Sequence, residues 1–307
     1  MGDFTQLKKI ERDSSDRQFS LRPAPLSTKI HATVPFLSPK RRWHIRYSIV
    51  LFATLLAFFA VPVLADEAEQ NVEFIYPLVV RRPVLETLLD LTVNHEKGRD
   101  GRETELAAEI EFRALPWWLM ELEVPLLITD PEKGATQAGI SDIGIGNSFL
   151  LFRSIERQAQ VTGGFELKVP SGSKSRGLGG ETAIEPFLVG GIRFKEFQLL
   201  IDAAYSWTLN SPDPGERKQE FSAGLAAGYE LTERFIPLLE LTTVRKVRGT
   251  NEEEGSALRG KEQVYLTPGL NLKLLDDEVV LRFGVQLPVT NAREFDYAIR
   301  LGLSWEF

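Results

Sequence analysis

From residue 84 to the C-terminus, apolar and polar residues repeatedly alternate with a period of two. The final stretch shows it best. Phe295, Tyr297, Ile299, Leu301, Leu303, Trp305 and Phe307 share one face, with Asp296, Ala298, Arg300, Gly302, Ser304 and Glu306 on the other. That period marks a strand with one oily and one wet face. Twelve such segments are predicted, at 84–94, 103–115, 117–128, 140–153, 158–170, 181–194, 197–209, 219–231, 235–248, 261–274, 278–289 and 295–307. The second sets Leu106, Ala108, Ile110, Phe112 and Ala114 against Glu105, Glu109, Glu111 and Arg113. The seventh sets Phe197, Leu199, Ile201, Ala203, Tyr205, Trp207 and Leu209 against Gln198, Asp202, Ser206 and Thr208. The fourth, sixth and ninth segments alternate less cleanly.

These segments are longer than an ordinary globular strand and long enough to cross a bilayer when tilted. The links between them alternate in length. Long, Gly/Pro/charge-rich links fall around 95–102, 129–139, 171–180, 210–218, 249–260 and 290–294, and short ones at 116, 154–157, 195–196, 232–234 and 275–277. An even strand number with long and short connections in turn is the grammar of a transmembrane barrel. Edge N–H and C=O groups cannot stay unpaired in hydrocarbon, so such a sheet must close. The expected fold class is therefore all-β: a membrane-spanning, antiparallel, up-and-down β-barrel of about 12 strands. Trp117, Trp118, Phe152, Phe194, Phe197, Phe235, Trp305 and Phe307 fall at the predicted periplasmic ends. Tyr205, Trp207, Phe221, Phe295 and Tyr297 fall toward the other ends, as two interfacial belts would.

One apolar run is continuous, Ile49 to Ala65, after Lys40-Arg41-Arg42 and Arg46 and before Asp66-Glu67. The basic flank, short apolar core and Val63-Leu64-Ala65 describe a signal peptide over 41–65, and Pro62 argues against the alternative of a membrane anchor. Residues 1–40 read as a disordered extension or a misassigned start. Residues 66–83, including Phe74-Ile75-Tyr76-Pro77-Leu78-Val79-Val80-Arg81-Arg82-Pro83, read as a periplasmic arm or a plug entering the lumen, and 84–307 as the barrel.

Composition changes the picture in two ways. Cysteine is absent, which removes disulfides and thiolate metal sites. Residues 1–65 hold 10 of the 36 basic and 4 of the 43 acidic residues, leaving 26 and 39 in 66–307, a net charge of −13. That balance excludes a nucleic-acid partner, which needs a basic footprint, and favours cations or neutral solutes at the mouths of a barrel.

Candidate chemistry is sparse. Ser171-Gly172-Ser173-Lys174-Ser175 invites a phosphate-loop reading, but the glycine pattern and following helix are missing, so it reads as a long external loop. His95, the one histidine after residue 65, falls in a predicted loop without a recognisable Ser partner, and no ligand spacing surrounds it. The chain is not expected to be an enzyme or to bind a cofactor or metal. The inward polar face is the better candidate: Glu109, Glu111, Glu166, Lys168, Asp202, Glu240, Arg282 and Arg300 are predicted to point into the lumen. Either they pair and fill a narrow interior or they line a solute path. Closure of the first strand on the last would bring Asp90 near Arg300.

The terminal run, ending Trp305-Glu306-Phe307, resembles the C-terminal signal of bacterial outer-membrane barrels. That likeness implies recognition of Trp305 and Phe307 by the outer-membrane insertion machinery. Ser141-Asp142-Ile143-Gly144-Ile145-Gly146, Lys168-Val169-Pro170-Ser171-Gly172 and Gly177-Leu178-Gly179-Gly180 resemble the outer-membrane family named for a MetA pathway of phenol degradation. The likeness covers roughly 84–307, with Ser141 where the family has Gly before Asp. It implies a barrel in the outer membrane of a Gram-negative bacterium and uptake of small aromatic or apolar compounds. The expected function is a channel or transporter for small solutes, with the lipid bilayer as its surroundings. The alternative is a structural or adhesive surface barrel with a plugged lumen and functional external loops.

Overall fold

The computed structural model describes residues 72–210, 218–248, 258–275 and 278–307; the predicted extension and signal peptide lie outside them. Thirteen strands are present among these residues: β1 (Leu88–Lys97), β2 (Gly101–Leu115), β3 (Trp118–Pro131), β4 (Gln137–Ile140), β5 (Ile143–Ser154), β6 (Ala159–Val169), β7 (Thr182–Phe194), β8 (Phe197–Asn210), β9 (Gln219–Tyr229), β10 (Phe235–Arg248), β11 (Glu262–Leu274), β12 (Val279–Pro288) and β13 (Tyr297–Glu306). Each pairs antiparallel with its neighbour in sequence, save that β4 and β5 both lie along β3. β1 pairs with β13 as well as β2, which closes the sheet.

The predicted fourth strand is thus one barrel stave in two pieces. β4 takes Leu126–Thr129 of β3, and β5 takes Trp118–Glu123. Between them, Ser141 and Asp142 leave the ladder, because the Asp142 carboxylate is engaged by a neighbouring loop described below. The barrel therefore has twelve staves, as the periodicity requires.

The first and last strands correct two boundaries. β1 starts at Leu88 rather than 84, since Pro83 and the residues after it still belong to the segment inside the barrel. It runs on to Lys97, so His95 is a strand residue, not a loop one, and its Nδ1 meets Thr104 Oγ1 at 2.8 Å. The expected long link at 95–102 shrinks to a turn at 98–100. β13 begins at Tyr297, and Phe295 does not join the outer belt. It turns inward, 6% exposed, and stacks on Tyr265 with ring centroids 4.6 Å apart.

The surface is inverted relative to a water-soluble protein. Exposed side chains include Phe112, Leu188, Ile201, Leu225, Leu239, Leu241, Phe283, Leu287 and Leu301. Fully or nearly buried ones include Gln160, Gln198, Glu240, Gln263, Thr267, Asn271 and Ser304. An apolar band outside and a polar lining inside suit lipid, where water would reject the exterior. Trp305 and Phe307 sit on the outer side with rings 5.6 Å apart.

Candidate functional site

The lumen has two halves with different fillings. In the half that holds the strand ends at Leu88 and Glu306, residues 72–87 run inside the barrel. Their polar groups are met by inward side chains of the wall, as buried backbone requires. The Ile75 N–H donates to Gln198 Oε1 at 2.6 Å. Asn271 receives the Tyr76 N–H at 2.9 Å and donates to its carbonyl at 2.7 Å. The Glu240 carboxylate accepts three successive N–H groups, from Leu78, Val79 and Val80, at 2.6, 2.9 and 2.8 Å. Gln160 donates to the Pro83 carbonyl, and Arg282 Nη1 to that of Pro77 at 2.9 Å.

Apolar packing seats the same segment. Val72, Phe74, Ile75, Val80 and Val84 form one cluster with Leu200, Ala226, Ile236 and Leu238 of the wall. Burying side chains of this size stabilises by roughly 1.5–3 kcal/mol each. Gly224 and Gly228 on β9 make the room, since a Cβ there would sit 2.6 Å from Val80 and 2.7 Å from Ile75.

Charges fix the middle of the segment. Arg81 lies among Glu185 at 2.5 Å, Glu166 at 3.7 Å and Asp202 at 3.8 Å, with its guanidinium 4.9 Å above the Phe187 ring. Arg82 pairs with Glu86 at 2.9 Å and lies 3.8 Å over the Tyr76 ring. The Tyr76 hydroxyl in turn donates to Glu306.

Parts of the wall set like charges face to face. The register sets Glu109 opposite Glu123 and Glu111 opposite Glu121 across β2 and β3, all on the inward face. Glu96 stands opposite Glu103, and Glu166 opposite Glu185. Inward cations are spread round the wall: Lys168 on β6, Lys246 on β10, and Arg282 and Arg300 on β12 and β13, where they meet Asp90 and Glu96 of β1. Like charges directly opposite one another cost stability unless water or mobile ions screen them.

Beyond the inserted segment the lumen opens into a vestibule of about 800 Å³, lined among others by Glu96, Glu103, Lys174, Lys218, Glu220 and Lys246. One wall is the loop after β6. There the Asp142 carboxylate accepts N–H groups from Gly172 at 2.9 Å, Gly180 at 2.7 Å and Glu181 at 3.1 Å. Leu178 at the loop's centre is fully buried. Gly179 has φ +109 and no space for a Cβ beside Asp142. The three motifs that carried the family resemblance thus meet at a single knot.

Solved structures of outer-membrane barrels share this fold. The NanC porin aligns over 71% of this chain and 100% of its own, at 14% identity and a TM-score of 0.52. An outer membrane channel from Pseudomonas putida F1 aligns over 76% of this chain and 100% of its own, at 12% identity and a TM-score of 0.58. No family model and no curated sequence matches the chain. At such identities the likeness carries the barrel architecture and nothing about solutes.

All eight predicted lumen residues face inward, but they do not form one group. Glu166, Lys168 and Asp202 gather near Arg81, with Lys168 3.9 Å from Glu166. Glu109 and Glu111 stand on the acidic wall. Glu240 binds backbone rather than a cation. One expected pair is wrong: Asp90 binds Arg282, at 2.5 and 2.6 Å, and Ser304. Arg300 is set opposite Asn94, too far along the ladder for Asp90, and pairs instead with Glu96 at 2.8 Å and Gln286. Sequence reasoning overlooked Glu121 and Glu123, although their alternation with Met120, Leu122 and Val124 would have placed them inward. Arg81 and Gln198 were invisible as site residues, because only the inserted segment brings them together.

Proposed function

We propose that the protein is an outer-membrane channel for small solutes, with a lumen that prefers cations and neutral molecules over anions. The observation that carries this is the facing of Glu109 with Glu123 and of Glu111 with Glu121 across one wall. A barrel evolved only to be filled would pair carboxylates with cations. The two arginines of the inserted segment make their ion pairs with other carboxylates. Opposed carboxylates on an inward wall attract mobile cations, as charged rings do in cation-selective pores. Small aromatic or apolar compounds are the solutes implied by the sequence resemblance.

In this reading residues 41–65 direct export, Trp305 and Phe307 dock on the insertion machinery, and residues 72–87 narrow the terminal half of the path. The packing of that segment also favours a second reading, a permanently plugged surface barrel. Single-channel recording on refolded protein separates the two. Reproducible unitary currents with cation over anion preference support the channel. A silent barrel, correctly folded by its heat-dependent gel mobility, leaves the surface-protein reading.

A further inference from the structure

The connection between β12 and β13 behaves unlike a rim loop. It folds into the barrel and is fixed there at both ends and in the middle. At its start the Val289 N–H donates to the Val264 carbonyl at 2.7 Å, and Thr290 Oγ1 accepts the Val264 N–H at 3.0 Å. At its end the Asp296 N–H donates to the Lys97 carbonyl at 2.7 Å. Between them the Glu294 N–H donates to the Tyr265 hydroxyl at 3.1 Å, and the Glu294 carboxylate forms an ion pair with Lys246 of β10. Phe295 lies on Tyr265, with the Arg300 guanidinium 6.0 Å from its ring. The Glu294 carbonyl presses on Gly98, where a Cβ would stand 2.7 Å away.

Glu294 and Phe295 line the 800 Å³ vestibule on one side and a second cavity of about 430 Å³ on the other. With Leu258, which also lines both, they form the partition between the two spaces. Lys246 of β10 reaches Glu294 of the loop, and Arg300 pairs with Glu96 on the neighbouring strand, so two ion pairs lie at this level. We infer that residues 289–296 form the outer constriction of the pore, latched by Lys246–Glu294 and seated by Phe295 on Tyr265, and that this crossing selects solutes. This inference rests on the channel reading and adds the place where passage is limited. An aromatic edge beside a Lys/Glu pair admits small neutral and cationic solutes and obstructs bulky ones. Opening requires the loop to swing outward, which breaks the Lys246–Glu294 ion pair, the hydrogen bond from the Glu294 N–H to the Tyr265 hydroxyl and the stack of Phe295 on Tyr265.

The absence of cysteine makes the test direct, since Phe295→Cys supplies the only thiol in the chain. Wild type, Glu294→Gln, Lys246→Met and Phe295→Ala are recorded in planar bilayers, each checked for heat-modifiable mobility. Phe295→Cys is labelled with a membrane-impermeant maleimide, with Glu294 kept and with Glu294→Gln. The latch variants and Phe295→Ala are expected to raise unitary conductance by about twofold or more. Labelling is expected to run on the order of ten times faster when Glu294 is replaced. Conductance unchanged in all three variants, with wild type conducting, overturns the constriction and leaves the channel reading intact. Wild type and variants that are all silent overturn both. Conductance that rises while labelling stays equal in the two backgrounds overturns the latch.

Discussion

Arg282 on β12 reaches over β13 to hold both carboxylate oxygens of Asp90 on β1, at 2.5 and 2.6 Å. It crosses the intervening strand at Gly302, where any Cβ would collide with the guanidinium. The same guanidinium donates to the Pro77 carbonyl. One side chain therefore ties the closing seam of the barrel to the segment inside it.

Removing either partner leaves the other charge enclosed, with side-chain exposures of only 9% and 13%. Breaking such a pair costs about 3 kcal/mol or more. Arg282→Ala and Asp90→Asn should each lower the temperature at which the barrel loses its compact gel mobility. Arg300→Ala should do so less, because its partners Glu96 and Gln286 lie nearer the open vestibule. Equal losses for Arg282 and Arg300 variants would contradict the clamp.

Glu240 supports the inserted segment by accepting three backbone N–H groups. Glu240→Ala strands those donors in a buried place, at about 1–3 kcal/mol for each left unpaired. The segment should then become a protease target in folded protein while the barrel remains resistant. Unitary conductance should rise at the same time. Glu240→Gln keeps one acceptor oxygen and should give an intermediate result in both measurements. A segment that stays protected in Glu240→Ala would show that the apolar cluster around Ile75 and Leu200 is sufficient to seat it.

The Asp142 knot predicts a local effect. Asp142→Ala removes the acceptor of the N–H groups of Gly172, Gly180 and Glu181, so the loop from 170 to 181 should open to proteolysis. Gly179→Ala should do the same through its backbone, since φ +109 is closed to alanine and a Cβ meets the Asp142 carboxylate. Barrel melting should move little in both, because Asp142 lies outside the ladder. Unchanged cleavage in the two variants would remove the knot as the loop's support.

The barrel was legible because lipid demands period-two alternation in every stave, and β2, β8 and β13 keep an apolar outer face over most of their length, although β8 also turns Leu200 and Ala204 inward. The segments that alternate poorly do so for a reason that the sequence hides. In β10, Ile236 and Leu238 face inward although apolar, since the inserted segment gives them Val72, Ile75 and Val80 to pack against. Phe295 continued the alternation of the last strand and was placed in the lipid belt, yet Tyr265 offers it a buried partner in the lumen. The inward facing of all eight candidate residues followed from periodicity alone. Their partners did not, because register along the seam and the course of residues 72–87 depend on contacts between residues far apart. Asp90 shows this: the strand pairing was foreseen, but its cation comes from one strand further on.

Trp305 and Phe307 carry a prediction independent of the lumen. Both lie on the outer side at the end of the last strand, where neither contributes to the lining. Phe307→Ala should fold in detergent with normal heat-modifiable mobility, because it removes an exposed ring. In cells it should accumulate outside the outer membrane, if the terminal ring is read by the insertion machinery. Normal assembly in cells would refute that role.

The acidic wall yields the sharpest test of solute preference. Glu109 and Glu123 stand directly opposite on β2 and β3, so their mutual repulsion is relieved by any change that removes one charge. Glu109→Gln and Glu123→Gln should leave the barrel as stable as wild type or slightly more so. Their reversal potentials in a salt gradient should shift toward zero, because the field that attracts cations is weakened. The double variant should shift further, and high salt should shrink the difference through screening. Glu121 accepts the Ser148 hydroxyl at 2.6 Å, so Glu121→Gln should instead cost stability as well as selectivity. Should both single variants destabilise the barrel without moving the reversal potential, the carboxylates would be structural, and the cation preference proposed for this pore would fail.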